Sequence, residues 1–150
     1  MSICVIKILE NFAERLQECM LYANIKSEQL GEKLGIGGAT IRKYCGATSG
    51  IRLPNLIKLA DYFNCSIDYL LGRTDKQLDF KLHSVMNFSE RLRQVLKEKG
   101  LSRYSLDRDT KFKDAYFAVW DKGSQLGVVT LVELAEILDC SVDYLVGRDR

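Results

Sequence analysis

Residues 25–46 carry apolar positions at helical spacing in two short runs. Leu30 and Leu34 are four residues apart, so they share one face of a helix. Gly35 follows directly, at the place where a residue in the left-handed conformation commonly ends a helix. The apolar pattern then resumes with Ile36, Ile41 and Tyr44. This arrangement predicts two short helices joined by a tight turn.

The chain also repeats itself. The sequence NFAERL at 11–16 recurs as NFSERL at 87–92, an offset of 76 residues. The sequence CSIDYLLGR at 65–73 recurs as CSVDYLVGR at 140–148, an offset of 75 residues. Self-similarity over this span indicates two copies of one unit, with one residue lost from the second copy.

Apolar stripes predict the first and fourth helix of each copy. The first-helix stripes are Phe12, Leu16, Cys19 and Met20 in one copy, and Phe88, Leu92, Val95 and Leu96 in the other. The fourth-helix stripes are Leu56, Leu59, Ala60 and Phe63, and Leu131, Leu134, Ala135 and Leu138. No part of the chain alternates between strands and helices as a βαβ unit does, so an all-α fold is expected.

Capping residues predict where these helices begin and end. Asn11 and Asn87 are each followed three residues later by Glu, which predicts the start of the first helix in each copy. Ser66 and Ser141 predict the start of the fifth helix. The predicted stops of that helix are Gly72 and Gly147.

The stretch IKSEQLGEKLGIGGATIRKY, together with IKLADYFNCSIDYLLGRTD at 57–75, resembles the helix-turn-helix domain of Xre-type transcriptional regulators, the family of the phage lambda and 434 repressors. The resemblance implies two tandem five-helix repressor-like helix-turn-helix domains. We expect the first domain at 1–75 with an N-terminal lead-in, a linker at 76–86, and a second, degenerate domain at 87–150. The lead-in at 3–9 and the linker could each pack on their own domain or form a dimerisation arm, and the sequence leaves both alternatives open. The linker could also be either a short strand or the beginning of a helix.

The resemblance also implies a site on double-stranded DNA. The helix from Gly37 to Tyr44 would enter the major groove. Its base-facing residues would be Gly37, Gly38, Ala39 and Arg42, with Thr40 and Lys43 on or near the backbone. Lys26 and Ser27 would contact phosphate or support this helix. Because two glycines occupy positions where the family often carries a polar reader, we expect readout to depend on Arg42, Lys43 and DNA shape.

The second copy keeps the apolar positions of this motif and changes its surface. The turn at Gly35 becomes Lys111, and Asp114 replaces Gly38. The basic and polar residues of the recognition helix become Tyr116, Ala118 and Val119 in place of Thr40, Arg42 and Lys43. An apolar patch on a small domain usually marks an interface, so these three residues predict a homodimer contact. The alternative is that this helix has rotated and buried them in its own domain.

Composition limits the other possibilities. The 22 Lys and Arg residues against 20 Asp and Glu give a net charge of only +2, so a DNA site requires locally placed charge. Five cysteines without a C-x-x-C pair and a single histidine argue against a zinc site, a disulfide framework and an enzyme, and no cofactor is expected. Reduced thiols and the absence of a membrane or secretion signal predict a cytoplasmic protein. The function predicted is a DNA-binding transcriptional regulator acting as a repressor, and the alternative is a protein-interaction or antitoxin-like module.

Overall fold

The computed structural model describes residues 2–77, 81–82, 87–121 and 126–149. The helices within them are α1 (Ser2–Ala23), α2 (Ser27–Leu34), α3 (Gly38–Cys45), α4 (Leu53–Tyr62), α5 (Ile67–Leu70), α6 (Phe88–Glu98), α7 (Arg103–Asp109), α8 (Asp114–Asp121), α9 (Val128–Ile137) and α10 (Val142–Val146). Two short strands, β1 (Lys81–Leu82) and β2 (Arg148–Asp149), pair antiparallel. The expectation of a mainly helical fold is therefore confirmed.

The first helix begins earlier than predicted. Asn11 was expected to cap it, but α1 starts at Ser2 and runs through Asn11 without a break. The residues before Asn11 contain no Pro or Gly, and Ile8 and Leu9 pack against the core, so burial favours continuing the helix. In the second copy the prediction is confirmed, because the Asn87 side chain accepts a hydrogen bond from the Glu90 amide at 2.9 Å.

The predicted caps of the short helices are confirmed. The Ser66 hydroxyl accepts from the Tyr69 amide and the Ser141 hydroxyl accepts from the Tyr144 amide, both at 3.0 Å. Gly35 ends α2 with φ of 69°. The glycines after α5 and α10 also have positive φ, 71° at Gly72 and 88° at Gly147.

Residues from both halves form one core. The predicted stripe residues Leu16, Leu59, Leu92 and Leu134 are fully buried. Cys19 and Cys65, interpreted from the sequence as core residues, are buried as well. Since most of the predicted apolar stripe is inaccessible to water, burial of these faces is the main term stabilising the fold.

The linker between the halves contains strand β1, which corresponds to the strand alternative for 76–86. Leu82 pairs with Arg148 across the two-residue ladder. The remaining positions of the linker at 78–80 and 83–86 lie outside the described residues. The other lead-in, at 3–9, belongs to α1, and Ile8 lies beside α9 of the second half. Ile8 therefore packs on the core and also lines a cavity together with Val132 and Ile137 of the second half.

Equivalent residues of the two halves meet at their contact. Arg52 and Gly127, which correspond at an offset of 75, form an isolated antiparallel bridge. On either side of it the Leu53 amide donates to the Leu126 carbonyl and the Val128 amide donates to the Ile51 carbonyl, both at 2.8 Å. The two hydrogen bonds are equivalent, because Leu53 corresponds to Val128 and Ile51 corresponds to Leu126.

The amino-terminal ends of α5 and α10 exchange carboxylates in the same reciprocal way. The Asp143 carboxylate accepts from the amides of Ile67 and Asp68 at 2.8 and 2.9 Å. The Asp68 carboxylate accepts from the amides of Val142 and Asp143 at 3.2 and 3.1 Å. A carboxylate at a helix amino terminus is favoured because it pairs with amides that have no partner within the helix.

Two arginines complete this contact. Arg73 donates to Asp68 in its own half at 2.8 Å and to Glu136 in the other half at 3.4 Å. Arg148 donates to Asp143 at 2.7 Å and to Asp61 in the other half at 2.8 Å. A buried arginine needs such partners, because an unpaired charge away from water is strongly destabilising.

Candidate nucleic-acid interface

The α2–turn–α3 segment has the geometry of a helix-turn-helix. Gly31 of α2 lies against the turn so closely that a Cβ on it would be 2.3 Å from the Ile36 carbonyl oxygen. Only glycine allows this approach without moving the backbone. The Ile36 amide donates to the Gly31 carbonyl at 2.8 Å, which closes the turn. Sequence analysis did not single out Gly31, although a glycine inside a helix is the usual signal of a close approach.

The predicted site residues lie together on this segment. Ile41 and Tyr44 of α3 face the core, which turns the other positions of the helix outward. The exposed predicted residues are Lys26, Gly37, Ala39, Arg42 and Lys43. The half-buried ones are Ser27, Gly38 and Thr40. All eight therefore belong to the start of α2 or to α3 and its amino-terminal cap.

Hydrogen bonds from other elements fix the carboxyl end of α3. The Tyr44 hydroxyl accepts from the Asn55 amide of α4 at 3.0 Å. Gln17 of α1 donates to the Cys45 carbonyl at 2.5 Å. The Thr48 amide and hydroxyl both donate to the Lys43 carbonyl, at 3.1 and 3.2 Å. These bonds pair polar groups that the helix itself leaves without partners, and they hold α3 in one orientation.

Glu28 is a residue that sequence analysis missed. Its carboxylate forms an ion pair with Arg42 across the gap between α2 and α3. A Cβ on Gly38 would lie 2.5 Å from that carboxylate, so the glycine leaves the space that the Glu28 side chain occupies. Both partners are more than half exposed, at 71% and 57%, and such a pair contributes little to stability. Its effect is to place a negative charge beside the arginine predicted to read DNA.

The corresponding turn of the second half is built differently. The C-cap residue of α7 is Thr110, which is extended with φ of −133°, whereas the C-cap residue of α2 is Gly35 in the left-handed conformation. The Thr110 hydroxyl donates to the Leu106 carbonyl at 2.6 Å and accepts from the Phe112 amide at 3.0 Å. A threonine side chain therefore provides the contacts that close this turn.

The face of α8 that was expected to form a dimer contact is accessible. Tyr116 and Val119 are 43% and 49% exposed, and Ala118 is exposed. The Tyr116 ring lies edge-on to Phe112, with centroids 5.5 Å apart, so part of it packs on its own half. Phe117 and Trp120, on the opposite side of α8, are buried.

Basic residues around α8 have partners within the second half. Lys111 forms an ion pair with Glu133, and the Lys113 ammonium donates to the Asp107 carbonyl at 2.5 Å. Arg108 donates to its neighbour Asp109, and this hydrogen bond holds the pKa of the Asp109 carboxyl below its ordinary value. Arginine charge here is balanced locally by a carboxylate, which weakens its attraction for a phosphate backbone.

Other kinds of site find little support in the described part of the chain. Within residues 2–77, 81–82, 87–121 and 126–149, no group of three or more His, Cys, Asp or Glu residues could hold a metal ion. Over the same residues, no helix is both long and apolar enough to cross a membrane. The Cys65 thiol is paired with Cys19, and this hydrogen bond together with burial raises the pKa of Cys65.

Comparison with known proteins agrees with this geometry. A family model described as a Cro/C1-type HTH DNA-binding domain matches residues 15–76, a stretch that runs from within α1 to just beyond α5. The first half of the chain is similar to Cro/C1-type DNA-binding domains. The match includes all eight predicted DNA-contacting residues, whereas the second half lies outside it.

One curated relative is the uncharacterized HTH-type transcriptional regulator YobD of Bacillus subtilis (strain 168), which is 33% identical over 64 residues. The aligned part is 43% of this chain and 57% of the relative, so the chain spans a little over half the length of that protein. No solved structure matches the chain significantly.

Proposed function

We propose that this protein is a sequence-specific DNA-binding transcriptional regulator that acts as a repressor and reads DNA mainly through α3. The observation that carries the proposal is the intact helix-turn-helix of residues 27–45, with Arg42 and Lys43 exposed on α3. Its agreement with the Cro/C1-type match over 15–76 supports the same function. A regulator of this kind acts where the chromosome is accessible, which in a bacterial cell is the cytoplasm.

The exposed side of α3 supports the proposed reading residues. Arg42 has the geometry to bond two acceptors of a guanine in the major groove, and Lys43 can contact either a base or a phosphate. Ala39 and Gly37 allow close approach because they have little or no side chain, and Gly38 would do so once the Glu28 carboxylate beside it had moved. At the start of α2, Lys26 offers a cation to a phosphate and Ser27 offers a hydroxyl and a backbone amide, whereas the Lys26 amide donates to the Gln29 side chain.

A selection experiment tests the function. Duplexes containing about 30 random base pairs, enough for two half-sites one turn apart, are selected with the full chain and sequenced. The double variant Arg42→Ala with Lys43→Ala should lose roughly 1–3 kcal/mol of binding for each base that these side chains read. Lys97→Ala with Lys99→Ala is the charge-matched control, because both lysines are exposed and lie outside the two turn segments. Equal affinities of the two double variants for the selected duplex would contradict the assignment.

The tandem arrangement is part of the proposal. Its support is that α6 to α10 follow one another as α1 to α5 do, with a serine cap and a positive-φ glycine at the ends of both α5 and α10. The second domain would then be a degenerate copy that has lost the basic residues of its recognition helix. Limited proteolysis should cut within 76–86 and give two fragments that stay associated in native buffer, because residues of both halves form one core, and that separate in denaturant.

A homodimer through Tyr116, Ala118 and Val119 stays a prediction. These residues are accessible, so the face could receive a second chain. Val119→Asp should then shift the mass in solution at micromolar concentration from dimer to monomer while leaving the helical circular-dichroism signal unchanged. A monomeric wild-type protein would contradict the homodimer.

The alternative function, a protein-interaction or antitoxin-like module, is favoured by the same accessible face. Salt dependence separates the two classes, because binding to a DNA duplex releases counterions and weakens steeply as salt rises. A contact made through Tyr116 and Val119 is mainly apolar and should change little over the same range. Recovery of a protein partner whose binding is insensitive to salt, without any selected DNA sequence, would favour this alternative.

A further inference from the structure

The contact between the two halves has the form of a two-fold interface. In such an interface, when a residue of the first half contacts a residue of the second half, the counterparts of these two residues contact each other as well. The hydrogen bonds around Arg52 and Gly127 obey this rule, with Ile51 and Leu53 exchanging roles with Leu126 and Val128. The carboxylate exchange between Asp68 and Asp143 and the arginine contacts of Arg73 and Arg148 obey it as well.

This symmetry relates α3 to α8. Rotation about a two-fold axis leaves height along the axis unchanged, so the relation seen at the contact, applied to the whole of each half, would put both helices at the same height. Their first turns are built alike, since the Thr40 amide donates to the Gly37 carbonyl at 3.0 Å and the Tyr116 amide donates to the Lys113 carbonyl at 2.9 Å. A duplex that lay on α3 and crossed the axis would meet the equivalent surface of the second half.

The contact between the two halves also fixes their relative orientation. Arg148 is 1% exposed and bonds to carboxylates of both halves. Asp143 is fully buried and is held by two amides of α5. Separating the halves would break the bond from Arg148 to Asp61 and the bonds that Asp143 accepts from the amides of α5, and it would expose the buried Arg148–Asp143 pair, so the two surfaces keep a fixed relation.

The two surfaces differ in what they offer to DNA. Long cationic side chains at 42 and 43 correspond to Ala118 and Val119, which cannot bond to base edges through side-chain polar groups. The residue just before α8 is Lys113, where the first half has Gly37. Its side chain is exposed, and an ammonium has three donors, so it can keep its bond to the Asp107 carbonyl and still pair with a phosphate. The second surface can thus meet a phosphate without reading a base.

We infer that one chain is the complete DNA-binding unit and that its site is asymmetric, with one half-site read by α3 and the adjoining turn of the duplex held by the second half through phosphates alone. This rests on the proposed function. It replaces the need for a second chain, because the second half occupies the place that a partner subunit would take.

The first experiment measures the composition of the complex. The full-length chain is bound to the duplex recovered from the random pool, and the mass of the complex is determined by light scattering. We expect one chain per duplex, base preference in one half-site only, and a hydroxyl-radical footprint that continues for about one further turn beside it. Two chains on a duplex with inverted repeats would overturn the inference in favour of the homodimer while leaving the DNA-binding function intact.

The second experiment removes the adjoining turn from the duplex. Affinity should fall roughly ten-fold or more, and the salt slope should become shallower by about 0.9 for each phosphate that the protein no longer neutralises. Lys113→Ala should weaken binding to the long duplex, leave the selected bases unchanged, and have no effect on the truncated duplex, which makes the truncated duplex its internal control. Equal affinity of the wild-type chain for the long and truncated duplexes would overturn the inference. Failure of the wild-type chain to bind any duplex would instead reject the proposed function together with it.

Discussion

Ile41 and Tyr44 of α3 are buried, and so are Phe117 and Trp120 at the equivalent positions of α8. The exposed positions between them differ completely, with Arg42 and Lys43 on α3 and Ala118 and Val119 on α8. Burying a large apolar side chain is worth about 1.5–3 kcal/mol, whereas exposed substitutions change stability little. The comparison teaches that two helices can bury the same kind of residues and still carry different chemistry on their outer sides.

The Glu28–Arg42 pair marks the same contrast. Its equivalent positions in the second half are Tyr104 and Ala118. Tyr104 is 69% exposed and its ring lies 5.5 Å from the guanidinium of Arg108, on its own helix. On the outer surface of α7, Tyr104 therefore contacts a residue of its own helix. On α2 and α3, the equivalent residue Glu28 instead binds Arg42 of the neighbouring helix.

The largest expected effect tests whether the two halves have equivalent cores. Leu59→Ala and Leu134→Ala should each cost about 2–5 kcal/mol of unfolding free energy, because both side chains are fully buried and the smaller residue leaves a cavity. Chemical denaturation followed by circular dichroism measures this. Leu21→Ala is the matched control, since Leu21 is 81% exposed and its loss should cost less than about 0.5 kcal/mol. A wild-type-like midpoint for either buried variant would show that its core face is wrongly assigned.

The next prediction attempts to remove the difference between α3 and α8. Ala118→Arg with Val119→Lys restores the two cations, and both positions are exposed, so the fold should accept them. Each additional base that α8 then reads should strengthen binding by about 1–3 kcal/mol on a duplex carrying the selected half-site twice in inverted orientation. The control is the same variant on a duplex with one half-site. An equal improvement on both duplexes would mean that only charge had been added.

A third prediction concerns the contact between the halves. Burial, together with the neighbouring Asp68 carboxyl, raises the pKa of Asp143 to about 7, although Arg148 and two amides favour its ionised form. The folded protein then binds this proton more tightly than the unfolded chain. The contribution of Asp143 to stability is therefore greatest below about pH 4 and falls as the pH rises to about 7, by up to roughly 1 kcal/mol per pH unit.

Asp143→Asn removes this titration, although it also loses hydrogen bonds, so the pH slopes and not the absolute stabilities are compared. Urea unfolding between pH 5 and pH 7 should show a flatter dependence in the variant than in the wild-type protein. Identical slopes would contradict a raised pKa for this carboxyl.

The smallest expected effect concerns Glu28. Glu28→Gln keeps the shape of the side chain and removes a negative charge beside Arg42, so DNA affinity should rise by less than about 1 kcal/mol at low salt. Glu32→Gln, an exposed residue of the same helix, is the control for a general loss of negative charge. An equal change in the two variants would show that the ion pair has no particular influence on Arg42.

Much of the fold could be predicted from local patterns. Helical periodicity placed α2 and α3, the buried stripes of α1, α4, α6 and α9, and the serine caps of α5 and α10, because these depend on residues a few positions apart. The predicted start of α1 was wrong because a local pattern does not show which residues pack against the core. Asn11 and Glu14 form a capping pattern, but the apolar residues before them pack against the core, and this packing outweighs a cap worth about 1 kcal/mol.

The sequence by itself determined that the chain is mainly helical, that short segments of its first half recur in the second, and that Arg42 and Lys43 have no basic counterparts at Ala118 and Val119. Only the tertiary structure decided that Glu28 pairs with Arg42 and that Asp68 and Asp143 exchange hydrogen bonds across the contact. The physical reason is distance along the chain. Partners 14 or 75 residues apart are brought together by the packing of whole helices, which no local period of side chains encodes.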